Sequence, residues 1–174
     1  MISIIIPISP NETSDWKSLV ADINGKKEHN ISEIILVSSD KLILENKSDI
    51  NVSIIQRNNI NRAEALNIGA REAKGEFIWF LHSDSKLDNN TIENLQKSIK
   101  ENPNNLYYCD LAFYGKLSLM KINSFFVRIR CNLLSIPFGD QGFCIKKTIF
   151  NSLNGFSSES AYGEDHLFIW KAKK

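Results

Sequence analysis

The sequence predicts an α/β domain with a mostly parallel mixed sheet flanked by helices. Residues 34–37 and 77–81 are short, unbroken apolar runs that end in polar residues, a pattern typical of strands buried on both faces. Helical spacing separates such runs, so the first half reads β-α-β-β-α-β, the alternation of a helix-covered parallel sheet. The 174 residues are enough for one domain with a substantial core.

The elements of the first half follow in order. Residues 2–6 are a β-branched run stopped by Pro7, predicted as the first and central strand. Thr13 and Ser14 are candidate N-caps of a helix with four apolar residues at one-face spacing: Trp16, Leu19, Val20 and Ile23. Residues 34–37 and 52–55 are the next strands, the latter nearer an edge. Residues 62–74 form a helix that Gly75 closes at C′, before the strand at 77–81.

The second half is less regular. Asn89 or Asn90 caps a helix that must stop before Pro103. The segments that follow are predicted as a strand at 106–113, an amphipathic basic helix at 117–134, a polar turn at 139–142, a strand at 143–145, a small helix at 148–153 and a last helix that opens at 163–166.

Composition narrows the classes of partner and compartment. Net charge is +1, so nucleic acid is not expected as a partner. The three cysteines lack CxxC spacing and fit reduced thiols of a cytoplasmic protein. The apolar N-terminus is too short for a signal peptide, and no run reaches transmembrane length. The basic helix at 117–134 suggests peripheral contact with a membrane; packing against the sheet is the alternative.

The tip of the fourth strand, His82-Ser83-Asp84, is the first candidate site. In extended chain His82 and Asp84 project to the same side, at the sheet edge where α/β proteins bind ligands. A carboxylate and an imidazole there suit a divalent cation that carries phosphate. A capping or turn aspartate and a satisfied strand-end histidine are the alternatives.

Other candidates lie at helix starts and turns. Arg62, at a helix N-terminus, suits phosphate binding, although an isolated helix-start arginine is usually solvated. Glu164 and Asp165 begin the last helix, where the dipole keeps a general base ionised; simple capping is the alternative. Asp140 and Gln141, between two glycines, would point at a ligand or form an ordinary turn. Inside the second helix, Asn67 predicts a polar contact and Gly69 close packing, unless both are tolerated surface positions.

Taken in order, these segments resemble the GT-A fold glycosyltransferases of family 2. The motifs are Ile4-Ile5-Ile6-Pro7, Arg62-Ala63-x-x-Leu66-Asn67-x-Gly69-Ala70, Gly75-x5-Leu81-His82-Ser83-Asp84, Pro137-Phe138-Gly139-Asp140-Gln141-Gly142, Gly155-Phe156 and Glu164-Asp165. They are most similar to a bacterial subgroup with a leucine-His-Ala-Asp tip and a Gly-Asp-Gln-Gly turn. Together they cover nearly the whole chain.

The resemblance implies inverting sugar transfer from a nucleotide-diphosphate donor, with Mg²⁺ or Mn²⁺, to an unknown sugar or lipid acceptor. Asp84 and His82 would hold the metal, and Asp165, beside Glu164, would be the base. Asp140 and Gln141 would meet the donor or acceptor sugar. Residues 1–86 would form the nucleotide half and 87–174 the acceptor half of a single domain. The donor-binding residues implied are Pro7, Glu12, Ser38, Asp40, Arg62, Asn67, His82 and Ser83.

Two departures and two rival functions bear on this prediction. Ser38 stands where the family usually has an acidic residue, with Asp40 as the substitute, and the family's basic segment after the base is missing from the sequence. A sugar-phosphate nucleotidyltransferase would need a glycine-rich loop after the first strand, and residues 7–11 contain no glycine. A truncated nucleotide-sugar-binding module without turnover is the second rival.

Overall fold

The structure is a computed structural model that describes residues 1–10, 12, 15–26, 30–44, 48–109, 141–158 and 163–173. Within these ranges the elements are β1 (Ile2–Ile8), α1 (Asp15–Gly25), β2 (Ile31–Ser38), β3 (Asn51–Gln56), α2 (Arg62–Glu72), β4 (Phe77–Phe80), α3 (Thr91–Glu101), β5 (Cys144–Lys146), α4 (Lys147–Ser152) and α5 (Glu164–Ala172).

The described strands form one mixed sheet in the order β3-β2-β1-β4-β5. Four strands are parallel, and only β5 runs antiparallel, against β4. The predicted mostly parallel sheet, with β1 in the centre and β3 at an edge, is therefore confirmed. Because the chain passes from β3 back to β4 across β1, the direction of strand addition reverses between β1 and β4, where such sheets bind ligands.

Helices cover both faces of the sheet, and the alternation of strand side chains explains why. Ile4 and Ile6 pack with α1 and α3 on one face, and Ile5 packs with α2, α4 and α5 on the other. All three isoleucines are fully buried. A strand with helices on both sides needs apolar residues at every position, as in the predicted runs.

The first strand is longer than predicted, because Pro7 does not end it. Pro7 is paired with Val37, and the strand runs on to Ile8. The carbonyl of Ile5 accepts a hydrogen bond from Leu81 on the β4 side of the strand. Pro7, two residues on, faces the same side, and β4 has already ended at Phe80. The missing N–H of proline therefore lies where no strand needs it.

The prediction that Gly75 closes the second helix is wrong. Helix α2 ends at Glu72, and Ala73 is the C-cap, its N–H donating to Gly69 O at 3.0 Å. Gly75 lacks the positive φ of a left-handed cap. Glycine is needed there for space, because a Cβ would lie 2.6 Å from Ser3 N.

We expect Gly75→Ala to lower the free energy of unfolding by about 1–3 kcal/mol, since the added methyl group meets backbone that cannot rotate away. Gly25→Ala is the matched control, because a Cβ at Gly25 would have no atom within 4 Å. Chemical denaturation of the two variants measures the difference. Equal stability would show that β1 can shift to make room for the methyl group.

The second half follows the predicted order where it is described. Helix α3 begins after Asn90 and ends before Pro103, and β5 and α4 lie within one residue of their predicted bounds. Of the strand predicted at 106–113, the described part shows one antiparallel bridge, between Tyr107 and Cys144. The basic helix at 117–134, the N-cap candidates Thr13 and Ser14, and Asp140 lie outside the described residues.

Two of the three cysteines, Cys109 and Cys144, are described, and the structure shows no disulfide between them. Cys144 is buried in β5, and its burial raises its pKa well above the usual range, so the thiol stays neutral. The charge of the nearby Cys109, which is half-buried, also raises the pKa of Cys144. A buried, neutral thiol such as that of Cys144 does not have the character of an activated nucleophile.

No helix in the described parts of the chain is long and apolar enough to span a bilayer.

Candidate active site

A small cavity of about 90 Å³ lies at the carboxyl ends of the parallel strands. The segments after β1, β2 and β4 and the N-terminus of α2 meet there. Among the residues that line it are Pro7, Ser9, Ser39, Arg62, His82 and Ser83. Four of the predicted donor-binding residues, Pro7, Arg62, His82 and Ser83, are thus brought together at the point where strand addition reverses.

Arg62 connects this cavity to the last helix. Its Nη1 donates to Glu164 Oε1 at 2.6 Å and lies 3.2 Å from Asp165 Oδ1, and its Nη2 lies 2.9 Å from His82 Nε2. The Glu164 side chain is 11% exposed, that of Asp165 18% and that of Arg62 30%. We call these four residues the Arg62 cluster. The candidate base and the candidate phosphate ligand are therefore in direct contact.

Local sequence explains why Arg62 is presented at this edge. Asn61 caps α2: its side chain accepts a hydrogen bond from Glu64 N, and the Glu64 side chain accepts one from Asn61 N. This capping box fixes the first turn of the helix. Arg62, as its first residue, is held beside the cavity.

Aromatic packing positions α5 against α2. Phe168 of α5 lies 4.8 Å from Phe156 and 5.4 Å from Phe150, between ring centroids, and Phe80 joins them from β4. Asn67 of α2 holds Phe156 through both amide atoms, donating to Phe156 O at 2.8 Å and accepting from Phe156 N at 3.0 Å. These are the polar contact predicted for Asn67. Gly69 is also packed closely, because a Cβ would lie 2.4 Å from Ile5 Cγ2.

We expect Asn67→Ala to lower the free energy of unfolding by about 2–3 kcal/mol, because it leaves two buried backbone groups of Phe156 without their partner. Asn94→Ala, an exposed position on α3, is the control and should change stability little. Thermal unfolding of both variants checks this. Similar melting temperatures would mean that water replaces the Asn67 amide.

The tip after β4 is a turn, and the extended geometry predicted for residues 82–84 is wrong. Ser85 N donates to His82 O at 3.1 Å and closes the turn. His82 Nδ1 nevertheless lies 4.0 Å from Asp84 Oδ1, so the two side chains remain neighbours. Arginine has only donors, so His82 Nε2 accepts from Arg62, and the ring proton sits on Nδ1, toward Asp84.

Asp84 faces a second, wider cleft of about 530 Å³ between the tip and α1, where Asp15 and Asp22 also lie. Its side chain is 75% exposed. No group of three metal-ligating side chains occurs among the described residues. An exposed carboxylate nevertheless fits Mg²⁺ or Mn²⁺, because such ions take one or two carboxylates, several waters and substrate phosphates. Asp84 fits directly, whereas His82 would have to release Arg62 to become a ligand.

The remaining predicted site residues lie around this edge without lining the small cavity. Ser38 is buried and accepts from Asp40 N at 3.0 Å, so Ser39, not Ser38, reaches the cavity. Glu12 accepts from Ser9 N at 2.9 Å. Gln141 is buried, and its Nε2 donates to Cys109 O at 3.2 Å, which ties the start of the chain leading into β5 to the chain after α3.

The sequence analysis missed three polar residues of the cavity and one contact. Ser9, Ser39 and Asn61 line the cavity but were not predicted as binding residues. Their position directly after β1, directly after β2 and at the N-cap of α2 was the available signal. The ion pair between Arg62 and Glu164 joins residues 102 positions apart, and no local pattern reports it.

The fold and this edge define a class of protein. It is an α/β domain with an arginine, two carboxylates and a histidine at the carboxyl edge of its sheet, the edge at which proteins of this architecture bind nucleotides. Residues 3–149 match the family model described as "Glycosyl transferase family 2". The chain belongs to this family, so the predicted family is confirmed. One curated relative, an uncharacterized glycosyltransferase of Haemophilus influenzae, is 27% identical over 186 residues, which include 98% of this chain.

Similar solved structures have the same GT-A fold. The structure of residues 1–349 of S. aureus TarS matches 98% of this chain, at 21% identity and a TM-score of 0.66. The same part of TarS has also been solved with UDP-GlcNAc and with UDP. The mannosyltransferase PcManGT from Pyrobaculum calidifontis, in complex with GDP-Man and Mn²⁺, aligns with 95% of the chain at 17% identity and a TM-score of 0.67.

The chain spans 61% of the length of the curated relative, 54% of the TarS structure and 50% of PcManGT. The part that these proteins share with this chain is therefore about half of their length, and it has the same fold.

Proposed function

We propose that the protein transfers a sugar from a nucleotide-diphosphate donor to an acceptor hydroxyl, with inversion and with a divalent metal. The observation that carries this is the Arg62 cluster, which joins a phosphate-binding candidate and a base candidate at the carboxyl edge of the sheet. The donors in similar structures, UDP-GlcNAc and GDP-Man, are nucleotide-diphosphate sugars, and one of those structures contains Mn²⁺.

The donor would bind across the small cavity and the wider cleft. Its nucleoside would meet Pro7, with Ser38, Asp40 and Glu12 nearby, and its diphosphate would lie beside Arg62, His82 and Ser83. Asn67 would support the donor site indirectly, because both of its amide atoms hold the backbone of Phe156. The N-terminus of α2 adds N–H groups and a positive dipole end that favour phosphate.

Asp84, with His82 as a further candidate, would hold Mg²⁺ or Mn²⁺ at the diphosphate. When bound, such an ion supplies neutralisation of the charge that develops on the departing nucleoside diphosphate. A carboxylic acid that protonates the leaving group is then unnecessary, in contrast to glycoside hydrolysis. The exposed Asp84 carboxylate is suited to share an ion with a ligand that arrives from solvent.

Asp165, with Glu164 beside it, would accept the proton of the acceptor hydroxyl. Both begin α5, whose N-terminus stabilises negative charge. A base on the face of the sugar opposite the leaving group gives inversion in one displacement. Asp140 and Gln141 would contact the donor or acceptor sugar.

We also infer that the protein belongs to the bacterial subgroup that has a leucine-His-Ala-Asp tip, here Leu81 to Asp84, and a Gly-Asp-Gln-Gly turn. The division into a nucleotide half (1–86) and an acceptor half (87–174) belongs to the same proposal. The proposal also includes a sugar or lipid acceptor, a cytoplasmic location and peripheral contact with a membrane. The buried, neutral thiol of Cys144 supports a reducing compartment.

A donor screen read by melting temperature tests the proposal. Saturation at about 100 times Kd should stabilise the native state by about 2.7 kcal/mol, raising the melting temperature by about 5–10 °C. We expect this with one nucleotide sugar and Mn²⁺ or Mg²⁺, but not with chelator. No shift with any donor would refute donor binding. A shift without sugar transfer to any of a broad panel of acceptors would refute the transferase.

A further inference from the structure

The guanidinium of Arg62 offers no complete edge to a phosphate in this structure. It has five N–H donors. Nη1 meets Glu164 Oε1 at 2.6 Å and both Asp165 carboxylate oxygens, at 3.2 and 3.3 Å, while Nη2 meets His82 Nε2 at 2.9 Å. Nε is buried and, among the described residues, has no hydrogen-bond partner.

Bidentate phosphate binding requires two parallel N–H groups on one edge of the guanidinium. Both terminal nitrogens are already engaged, Nη1 by the two carboxylates and Nη2 by His82. The third nitrogen, Nε, has no contact with solvent. Arg62 therefore has no pair of uncommitted, accessible N–H groups for a phosphate, and a bidentate contact requires it to give up its present partners.

We propose that the donor diphosphate and the pair Glu164–Asp165 compete for Arg62, so that donor binding releases the base. This inference rests on the proposed function and adds a regulation of the same site. Before the donor arrives, Arg62 occupies both oxygens of Asp165. Once Arg62 turns to the diphosphate, its guanidinium no longer occupies those oxygens.

The surroundings of the two carboxylates make the release feasible. Glu164 and Asp165 are the first two residues of α5, and the helix dipole favours negative charge at this end after the guanidinium has left. The backbone of α5 need not move, because Phe168 and Ile169 anchor the helix in the core. Only the Arg62 side chain, which is 30% exposed, must change its conformation.

A double-mutant cycle on nucleotide affinity tests the competition. The four proteins are the wild type, Glu164→Gln, Arg62→Gln and the double variant, and calorimetry with Mn²⁺ gives their Kd values for UDP and GDP. Glutamine keeps the size of Glu164 but is a weaker partner for Arg62. We expect Glu164→Gln to bind the nucleotide about three- to tenfold more tightly when Arg62 is present.

The same substitution should leave Kd unchanged in the Arg62→Gln background, because the competed group is absent. Equal tightening in both backgrounds would overturn the competition and indicate a general effect of removing negative charge. Unchanged or weaker binding by Glu164→Gln would also overturn it, and would mean that the ion pair supports the site. Asp165→Asn provides a second cycle with the same expectations if Glu164→Gln does not fold.

The two proposals fail in different ways. If the wild type binds neither UDP, GDP nor any other nucleoside diphosphate, the proposed function is refuted and the competition falls with it. If the wild type binds a nucleotide and the cycle with Glu164→Gln, or with Asp165→Asn in its place, shows no coupling to Arg62, the competition alone is refuted.

Discussion

Asp165→Asn is expected to lower the rate of sugar transfer by about 10²–10⁴-fold, the range for loss of a general base. Asparagine is nearly the same size and can still accept a hydrogen bond from Arg62, but its amide cannot take a proton from an acceptor hydroxyl. The rate is measured as release of nucleoside diphosphate in the presence of donor, metal and acceptor.

The donor-induced rise in melting temperature serves as the internal control, and Asp165→Asn should show a rise at least as large as that of the wild type. Asp88→Asn is the matched substitution at an exposed aspartate outside the Arg62 cluster, and it should keep full activity. A variant of Asp165 that retains its rate would contradict the assignment of the base. Loss of both rate and thermal shift would indicate damage to the donor site.

Asp84→Ala is expected to abolish the metal-dependent part of donor binding. The wild type should gain about 5–10 °C in melting temperature with donor and Mn²⁺, and the variant should gain about 1 °C or less. The physical reason is the loss of the carboxylate that shares the ion with the diphosphate. Its side chain is 75% exposed, so the substitution should leave the stability of the free protein nearly unchanged.

Asp88→Ala, four residues further along and also exposed, removes the same charge and is the control. It should retain the full metal-dependent shift. Equal shifts in wild type and Asp84→Ala would contradict a metal site at the tip. Loss of the shift in both variants would mean that net charge alone determines donor affinity.

The sequence predicts the sheet because its strands are buried on both faces. Ile4, Ile5 and Ile6 must all be apolar when helices cover both sides, and that requirement leaves a continuous run that is easy to recognise. Helix α3 is predicted equally well, since Ile92, Leu95 and Ile99 mark one buried face.

What the sequence does not predict depends on contacts between distant residues. Glu33 lies in the buried β2, 4% exposed, and accepts hydrogen bonds from Ser3 Oγ at 2.7 Å and Lys74 N at 2.6 Å. Gly75 is misread as a helix cap because its reason is the nearby backbone of Ser3. A pattern in neighbouring residues of the sequence reports neither the partners of Glu33 nor the close approach of Gly75 to Ser3.

The candidate site shows the same division. The types and order of Arg62, His82, Asp84 and Asp165 suggest phosphate, metal and base, and the fold brings these residues to one edge. The contact of Arg62 with both carboxylates requires the packing of α5 against α2 through Phe156 and Phe168, which is a tertiary property.

A crystal soaked with Mn²⁺ and a nucleoside diphosphate, read by the anomalous signal of the metal, tests whether Asp84 holds the ion. We expect Mn²⁺ about 2 Å from an Asp84 carboxylate oxygen. The diphosphate should lie on the same ion, beside Arg62. Metal and nucleotide bound together at a place remote from Asp84 would contradict this expectation.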